Sequence, residues 1–342
     1  MHEIFLRYGL FLAETVTLVI AVGAVVVIIA SAVRAARRGD DNGGHFEIKH
    51  LNEHLQQLAD TLNDAVLTRD ARRKERKQRK KRDREARKAD RSVAARVFVL
   101  DFHGDIGASQ VTELREEISA LLQISRDGDE VVLRLESGGG TVHGYGLAAS
   151  QLRRIRDRGL RLTVSVDKVA ASGGYMMAAV ADRILAAPFA VIGSIGVVGQ
   201  LPNFSRLLKR HDVDFELHTA GAYKRTLTLF GENTDAAREK FREELEDTHE
   251  LFKAFLADNR PVLKLDEVAT GEHWYGTRAL DLKLVDELRT SDDHLLERAR
   301  EHEVFEVRYK PRRSLGERLA HGLVKLRNGT RSSLQPGPAG ML

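Results

Sequence analysis

The chain contains no cysteine. That removes disulfides, thiolate nucleophiles and cysteine-ligated zinc or iron–sulfur sites, and it leaves the compartment open. Aromatic residues are few, at 6%, with a single tryptophan, and there are only six prolines. No His-Glu-x-x-His occurs, so a zincin-type centre is unsupported and no metal is expected. No Walker motif occurs, and the glycine-rich pieces lack the spacing of a dinucleotide fingerprint, so no cofactor is expected either. Gly193-Ser194-Ile195-Gly196 does not form a Gly-x-Ser-x-Gly elbow. The scattered His218, His249 and His273 supply no Ser-His-Asp order.

What is present begins with a long apolar run. Thr15 to Val33 is 19 residues without a charge. A helix of that length spans roughly 30 Å of hydrocarbon, so the run predicts a single transmembrane helix. A cleaved signal peptide is the competitor, and Ala30, Ala32 and Ala35 could mimic its cleavage site. Arg34, Arg37 and Arg38 follow the run, which favours a cytoplasmic position for the rest of the chain.

The formal charge of +4 is uneven. Arg72 to Arg91 holds thirteen Lys or Arg against four Asp or Glu. It reads as a solvated helical stalk or a disordered spacer, with anionic lipid a further possibility. No aromatics are interleaved with it, so nucleic acid is not expected as a partner. Ahead of it, Leu51, Leu55, Leu58, Leu62 and Val66 recur at helical spacing within His50–Leu67.

From residue 95 onward, strand-like and helix-like segments alternate. Strands are expected at Arg96–Phe102, Asp129–Glu136, Arg161–Val166, Arg183–Ala187, Val213–His218 and Val304–Tyr309. Helices are expected after Ser109, from His143 to Arg158, over Thr234–Asn259 and after Ser291. Crossovers of this length allow parallel pairing and predict an α/β domain whose function lies on loops at strand C-terminal ends. Two such loops stand out, Ser137–Gly140 and Ala170–Gly174. In Asp167-Lys168-Val169-Ala170-Ala171-Ser172-Gly173-Gly174-Tyr175, Ser172 sits where a strand passes into a helix. It could face a cleft beside its neighbours' N–H groups, or it could simply cap the helix.

With no histidine partner evident, a neutral lysine is the alternative base. Free lysine titrates at about 10.4, and desolvation or a nearby cation lowers that by several units. Lys224, after a predicted strand end and Tyr223, is a candidate; its other reading is an ordinary surface lysine beside Arg225.

The blocks ESGGGTVHGYGLAASQL, VDKVAASGGYMMA, APFAVIGSIGVVG, ELHTAGAYKRTLTLFGENT and ATGEHWYG occur in one order across Val97–Glu287. In them the chain resembles the signal peptide peptidase A type of membrane-associated serine proteases, peptidase family S49, in particular its SohB-like branch. The resemblance implies an α/β, ClpP/crotonase-like fold of repeated strand–helix units after an N-terminal transmembrane helix. It divides the chain into a membrane anchor (1–38), a charged linker or stalk (39–94), a serine peptidase domain (95–310) and a basic, partly amphipathic tail (311–342).

It also implies a Ser-Lys dyad. Ser172 matches the nucleophile in Ala-Ser-Gly-Gly, and Lys224 matches the general base 52 residues later. The resemblance makes Gly139, Gly140 and Gly173 the backbone donors of an oxyanion hole and Ser194 a candidate orienter of Lys224. The family's usual Ser-Pro-Gly-Gly is here Ser137-Gly138-Gly139-Gly140, and losing proline should leave that turn less rigid. The resemblance further implies a ring-like homo-oligomer and action on signal-peptide remnants or other peptide or membrane-protein fragments. Together with the basic flank, it implies a single-pass bacterial inner-membrane protein in contact with lipid. Two rival readings keep the fold, a non-enzymatic membrane scaffold or peptide binder and an acyl-CoA enzyme using paired N–H groups.

Overall fold

The computed structural model describes residues 44–74, 77–78, 81, 95–221 and 223–311. Contacts divide the chain into Phe46–Tyr309 and a second unit of Met1–His45 with Lys310–Leu342. The second unit contributes only residues 44, 45, 310 and 311 to the described set.

In chain order the elements are β1 (His45–His50), α1 (Leu51–Val66), β2 (Arg96–Gly104), α2 (Val111–Ile124), β3 (Glu130–Ser137), α3 (Val142–Asp157), β4 (Arg161–Val166), β5 (Val169–Ala171) and α4 (Gly173–Ala179). They continue with β6 (Arg183–Ala186), β7 (Val191–Gly193), α5 (Ser205–Arg210), α6 (Asp235–Asn259), α7 (Leu265–Val268), β8 (His273–Tyr275), α8 (Gly276–Asp281), β9 (Glu287–Leu288), α9 (Ser291–Glu301) and β10 (Glu303–Lys310).

One sheet runs β1-β10-β2-β3-β4-β6-β9, and β5, β7 and β8 form a branch from β3. The ladders from β10 to β9 are parallel, as are β3–β5 and β5–β7; β7–β8 is antiparallel. The α/β expectation therefore holds. A parallel strand buried on both faces reads as a continuous apolar run, as Val97–Leu100 does. Phe98, Leu100 and Phe102 face the main core with Leu114, Ile118 and Leu152, whereas Val97 and Val99 pack with Val132, Leu295 and Val304 on the other face. On α2 the buried Leu114, Ile118 and Leu121 keep the three-to-four spacing of one helical face.

Several sequence expectations are corrected. Val213–His218 forms no strand; Val213, Phe215 and Leu217 are exposed, and Phe215 packs its ring against Phe230 instead of a neighbouring strand. Phe46–Val66, read as part of the linker, contributes β1 to the sheet, and Leu51 of α1 packs against the second core cluster.

The N-terminal transmembrane helix is also corrected: among the described residues no helix is long and apolar enough to cross a membrane. The long helix α6 carries charge on nearly every turn and buries only Phe252 and Leu256. Thr15–Val33, on which the expectation rested, lies outside the described residues, as do most of the basic run and residues 312–342. The single-pass inner-membrane localisation and its cytoplasmic side, which rested on that apolar run, are corrected with the helix, since no helix among the described residues supports them.

Glu117 is a buried carboxyl on α2 that accepts the Tyr309 N–H at 2.8 Å. Desolvation, reinforced by the Asp101 and Glu113 carboxylates, pushes its pKa up to about 7 despite that hydrogen bond. The folded chain thus keeps a proton that the unfolded chain releases near 4.5. This contribution to stability is complete below about pH 4.5 and is lost as pH rises through about 7.

Two outcomes are expected. In urea unfolding followed from pH 5 to 8, Glu117→Gln should remove a decline of at most about 3 kcal/mol seen in the parent chain; parallel pH profiles would contradict the assignment. Leu133→Ala, on the central strand with no exposed surface, should cost about 2–5 kcal/mol, whereas Leu58→Ala, 52% exposed, should stay within about 0.5 kcal/mol.

Candidate active site

Three neighbouring parallel strands deliver the predicted loops to one edge. Ser137, the last residue of β3, pairs with Ala170 of β5, and Ala171 pairs with Gly193 of β7. The glycine turn 138–140, Ser172 and Ser194 therefore leave the sheet side by side.

Ser172 occupies the residue before α4, yet its side chain makes no capping hydrogen bond. The helix-cap reading of this serine fails on that point. Its backbone has φ 52° and ψ −119°, a conformation that costs a non-glycine residue on the order of 1–3 kcal/mol. Neighbouring hydrogen bonds hold it: the Ser172 N–H donates to the Gly193 carbonyl at 2.7 Å, and the Ser172 carbonyl accepts the Met176 N–H at 3.0 Å. A sharp strand-to-helix turn of this kind keeps a hydroxyl at the rim of a sheet, free of the helix it precedes.

The glycine turn lies directly against it. Gly139 has φ 85°, and a Cβ there would come within 2.8 Å of the Ser172 Cβ and 2.7 Å of the Ala171 carbonyl oxygen. A Cβ on Gly173 would fall 2.7 Å from both Cβ and Cδ2 of Tyr145. Bare backbone is thus required on both sides of the serine. The Gly139 N–H donates to Ser137 Oγ at 3.1 Å. The N–H groups of Gly140 and Gly173 have no hydrogen-bond partner among the described residues.

Ser194 is half-buried and shares the left-handed conformation, with φ 52°. Its N–H donates to the Glu272 carbonyl at 2.6 Å. Trp274 of β8 covers the adjoining Gly193, so the Gly-Glu-His-Trp-Tyr-Gly segment forms a strand pinned over the site's outer branch.

Lys224 is placed differently. It is exposed, in a segment without regular structure between α5 and α6. Its N–H donates to the Gly221 carbonyl at 3.3 Å, and no hydrogen bond joins it to Ser172 or Ser194 among the described residues. Ser172, Ser194 and the Gly139, Gly140 and Gly173 backbone leave the sheet together, and Lys224 makes no hydrogen bond to them among the described residues. Exposed apolar side chains accompany it: Val213, Phe215, Leu217 and, at 67% exposure, Tyr223.

Asp167 and Lys168, a possible mutual ion pair on sequence grounds, are not paired with each other. Asp167 accepts both the N–H (2.8 Å) and the hydroxyl (2.5 Å) of Ser291, tying the entrance of β5 to the start of α9. Lys168 pairs with Glu136 at 2.9 Å, an exposed contact of small energetic weight.

Sequence reasoning missed Tyr145. It lies on α3 with no exposed surface, and its hydroxyl contacts Ser137 Oγ at 2.5 Å and the Asp105 carbonyl at 2.7 Å. Burial and the charge of Asp105 raise its pKa, against the opposing hydrogen bond from Ser137. Its one sequence signal was the flanking Gly144 and Gly146.

Residues 3–152 match the family described as Peptidase family S49 N-terminal, and residues 154–305 match Peptidase family S49. The chain belongs to peptidase family S49. It is 52% identical over 326 residues to a protein named Probable protease SohB from Haemophilus influenzae, covering 92% of each chain. A protein of the same name from Buchnera aphidicola subsp. Acyrthosiphon pisum is 60% identical over 223 residues, covering 65% of this chain and 66% of that one. Among solved structures, a lysine-to-alanine mutant of the 1510-N membrane-bound stomatin-specific protease with a substrate peptide overlaps 68% of this chain and 99% of its own. The identity is 14% and the TM-score 0.39, too loose an overlap to support a statement about this protein. Membership of the family makes the chain a serine peptidase that acts on peptide substrates.

Gly139→Ala combines a positive φ with three close approaches, so it should lower the melting temperature and reduce serine labelling together. Gly138→Ala meets nothing within 4 Å and should leave the melting temperature unchanged or raise it, consistent with a gain of up to about 1 kcal/mol. Differential scanning calorimetry of the two variants checks the contrast; equal losses would mean that the turn is not seated as described.

Proposed function

We propose that this peptidase hydrolyses peptide bonds with a Ser-Lys dyad, Ser172 as nucleophile and Lys224 as general base. The observation that carries the reading is the position of Ser172. It is an uncapped serine in a strained turn, at the end of parallel strands, beside glycine N–H groups. The Ser172 hydroxyl loses its proton to Lys224 as Oγ attacks the scissile carbonyl. The negative charge that develops on the carbonyl oxygen is met by the backbone N–H groups of Gly140 and Gly173, an interaction worth several kcal/mol in such sites; the Gly139 N–H is already engaged by Ser137 Oγ. Lys224 then protonates the leaving amine, and water attacks the acyl-enzyme to release the second product and free Ser172. Ser194, beside Ser172 at the strand ends, is the candidate to orient the lysine.

A lysine acts as a base only when neutral, and burial favours the neutral form. Lys224 stands in an exposed segment rich in apolar side chains. A ring-like homo-oligomer that covers this segment would desolvate the lysine and carry it to a serine, in a site shared between copies. Signal-peptide remnants and other peptide or membrane-protein fragments are the substrate class that the family resemblance favours.

The test is intact-mass and peptide-mapping analysis of the full chain after exposure to a fluorophosphonate. Modification should be confined to Ser172, absent in Ser172→Ala and slowed at least about a hundredfold in Lys224→Ala. Labelling of Ser172→Ala at the parent rate would remove the nucleophile assignment. Co-assembling Ser172→Ala chains with Lys224→Ala chains should restore labelling if neighbouring copies share a site; failure to restore it in verified mixed oligomers would place serine and lysine in the same copy.

A further inference from the structure

The proton pattern around Tyr145 has only one solution. The Asp105 carbonyl carries no hydrogen, so in the 2.7 Å contact the Tyr145 hydroxyl must donate. Its single hydrogen is then used, and in the 2.5 Å contact Ser137 Oγ must donate to the tyrosine oxygen. A lone pair of Ser137 Oγ accepts the Gly139 N–H at 3.1 Å. Three hydrogen bonds thus run in one direction, from Gly139 through Ser137 and Tyr145 to Asp105. Each donor in such a chain strengthens the acceptor beside it, and the setting is dry: Ser137 and Tyr145 are both buried.

The chain ends in the loop after β2, and that loop grips the glycine turn at a second point. The Thr141 N–H donates to the Ile106 carbonyl at 2.8 Å. The turn is therefore fastened on both sides of Gly140 to consecutive carbonyls, Asp105 and Ile106. Meanwhile the carbon skeleton of Tyr145 fills the space that a side chain at position 173 would need. One residue bears on both halves of the proposed oxyanion site, reaching the glycine turn through Ser137 by its hydroxyl and lying against Gly173 with its ring.

We propose that Tyr145 is a positioning residue that holds the glycine turn and Gly173 at a fixed separation around Ser172, supplying the rigidity that proline would give at position 138. The proposal rests on the reading of Ser172 as the nucleophile. It assigns the hydroxyl and the ring separate tasks, so Tyr145→Phe removes the hydrogen-bond chain while keeping the packing against Gly173.

The experiment measures fluorophosphonate labelling of the full chain over a range of probe concentrations, together with amide hydrogen exchange read by mass spectrometry. In Tyr145→Phe the maximal labelling rate should fall about ten- to a hundredfold, less than the loss of an oxyanion donor itself. The half-saturating probe concentration and the midpoint of the pH–rate profile should stay unchanged, because neither probe binding nor the base is touched. Exchange should quicken in peptides covering Ser137–Val142 and stay unchanged in those covering Val111–Ile124. Ser137→Ala should match Tyr145→Phe, and the double variant should be no slower than either single one. Unaltered exchange at the turn in Tyr145→Phe would overturn the proposal, and so would quickened exchange with an unaltered maximal labelling rate. Both results leave Ser172 as nucleophile, provided Ser172→Ala stays unlabelled. Parent-rate labelling of Ser172→Ala would instead remove the nucleophile reading, and the positioning role with it.

Discussion

The site depends on a branch in the sheet. Strand β3 pairs with β4 along Glu130–Arg134 and then, at Ser137, with β5. Between β4 and β5 lie only Asp167 and Lys168, so the chain changes partner within two residues. Strand β4 continues the main sheet into β6, while β5 turns away to pair with β7. The glycine turn, Ser172 and Ser194 leave the sheet at this division. Asp167 holds the division in place through Ser291, 124 residues farther along. The strained turn at Ser172 persists because these longer-range contacts over-determine it.

Close approach of backbone follows from that geometry. Gly139 lies against the Ala171 carbonyl and the Ser172 side chain, and Gly173 lies against Tyr145. Small residues are needed there because neighbouring segments already occupy the volume that side chains would take. Gly138, by contrast, meets nothing within 4 Å, and it is the position at which related sequences carry proline according to the resemblance. Rigidity of the turn comes from residues 137, 139 and 141, whose hydrogen bonds reach β3, α3 and the loop after β2.

Much of this was legible in the sequence where local pattern and tertiary fate agree. Arg161–Val166 is a strand over the expected bounds, because Leu162, Val164 and Val166 alternate with residues that include the small Thr163 and Ser165, which a strand buried on both faces accommodates. Helix α6 runs over Asp235–Asn259, within one residue of the expected bounds, and the Thr234 hydroxyl caps it by accepting the Ala237 N–H. Legibility ends where the deciding partner is remote. Val213–His218 alternates apolar and polar residues as a strand would, but Phe215 finds the Phe230 ring rather than a ladder. Ser172 fits the pattern of a helix cap equally well, and the absent capping hydrogen bond and the backbone conformation separate the two roles. Tyr145 reads as a core aromatic; its partner, the Asp105 carbonyl, lies 40 residues away and is invisible to side-chain motifs.

The two proposed catalytic groups are held in contrasting ways. Ser172 is fixed by contacts within one chain: it is half-buried, with Ser137, Ala171, Gly173 and Tyr175 buried beside it and Gly140 exposed. Lys224 lies in an exposed segment whose aromatic and aliphatic side chains remain uncovered. A serine nucleophile needs a fixed position, because the developing charge must meet donors already in place. A lysine base needs a low-polarity setting, because water and a high pKa keep it protonated. Preorganisation can be built into a single folded chain, whereas desolvation of an exposed segment requires something to cover it. If assembly supplies that cover, the hydroxyl is poised before assembly and the base becomes competent only afterward. Peptide hydrolysis would then be coupled to assembly without any movement of the nucleophile.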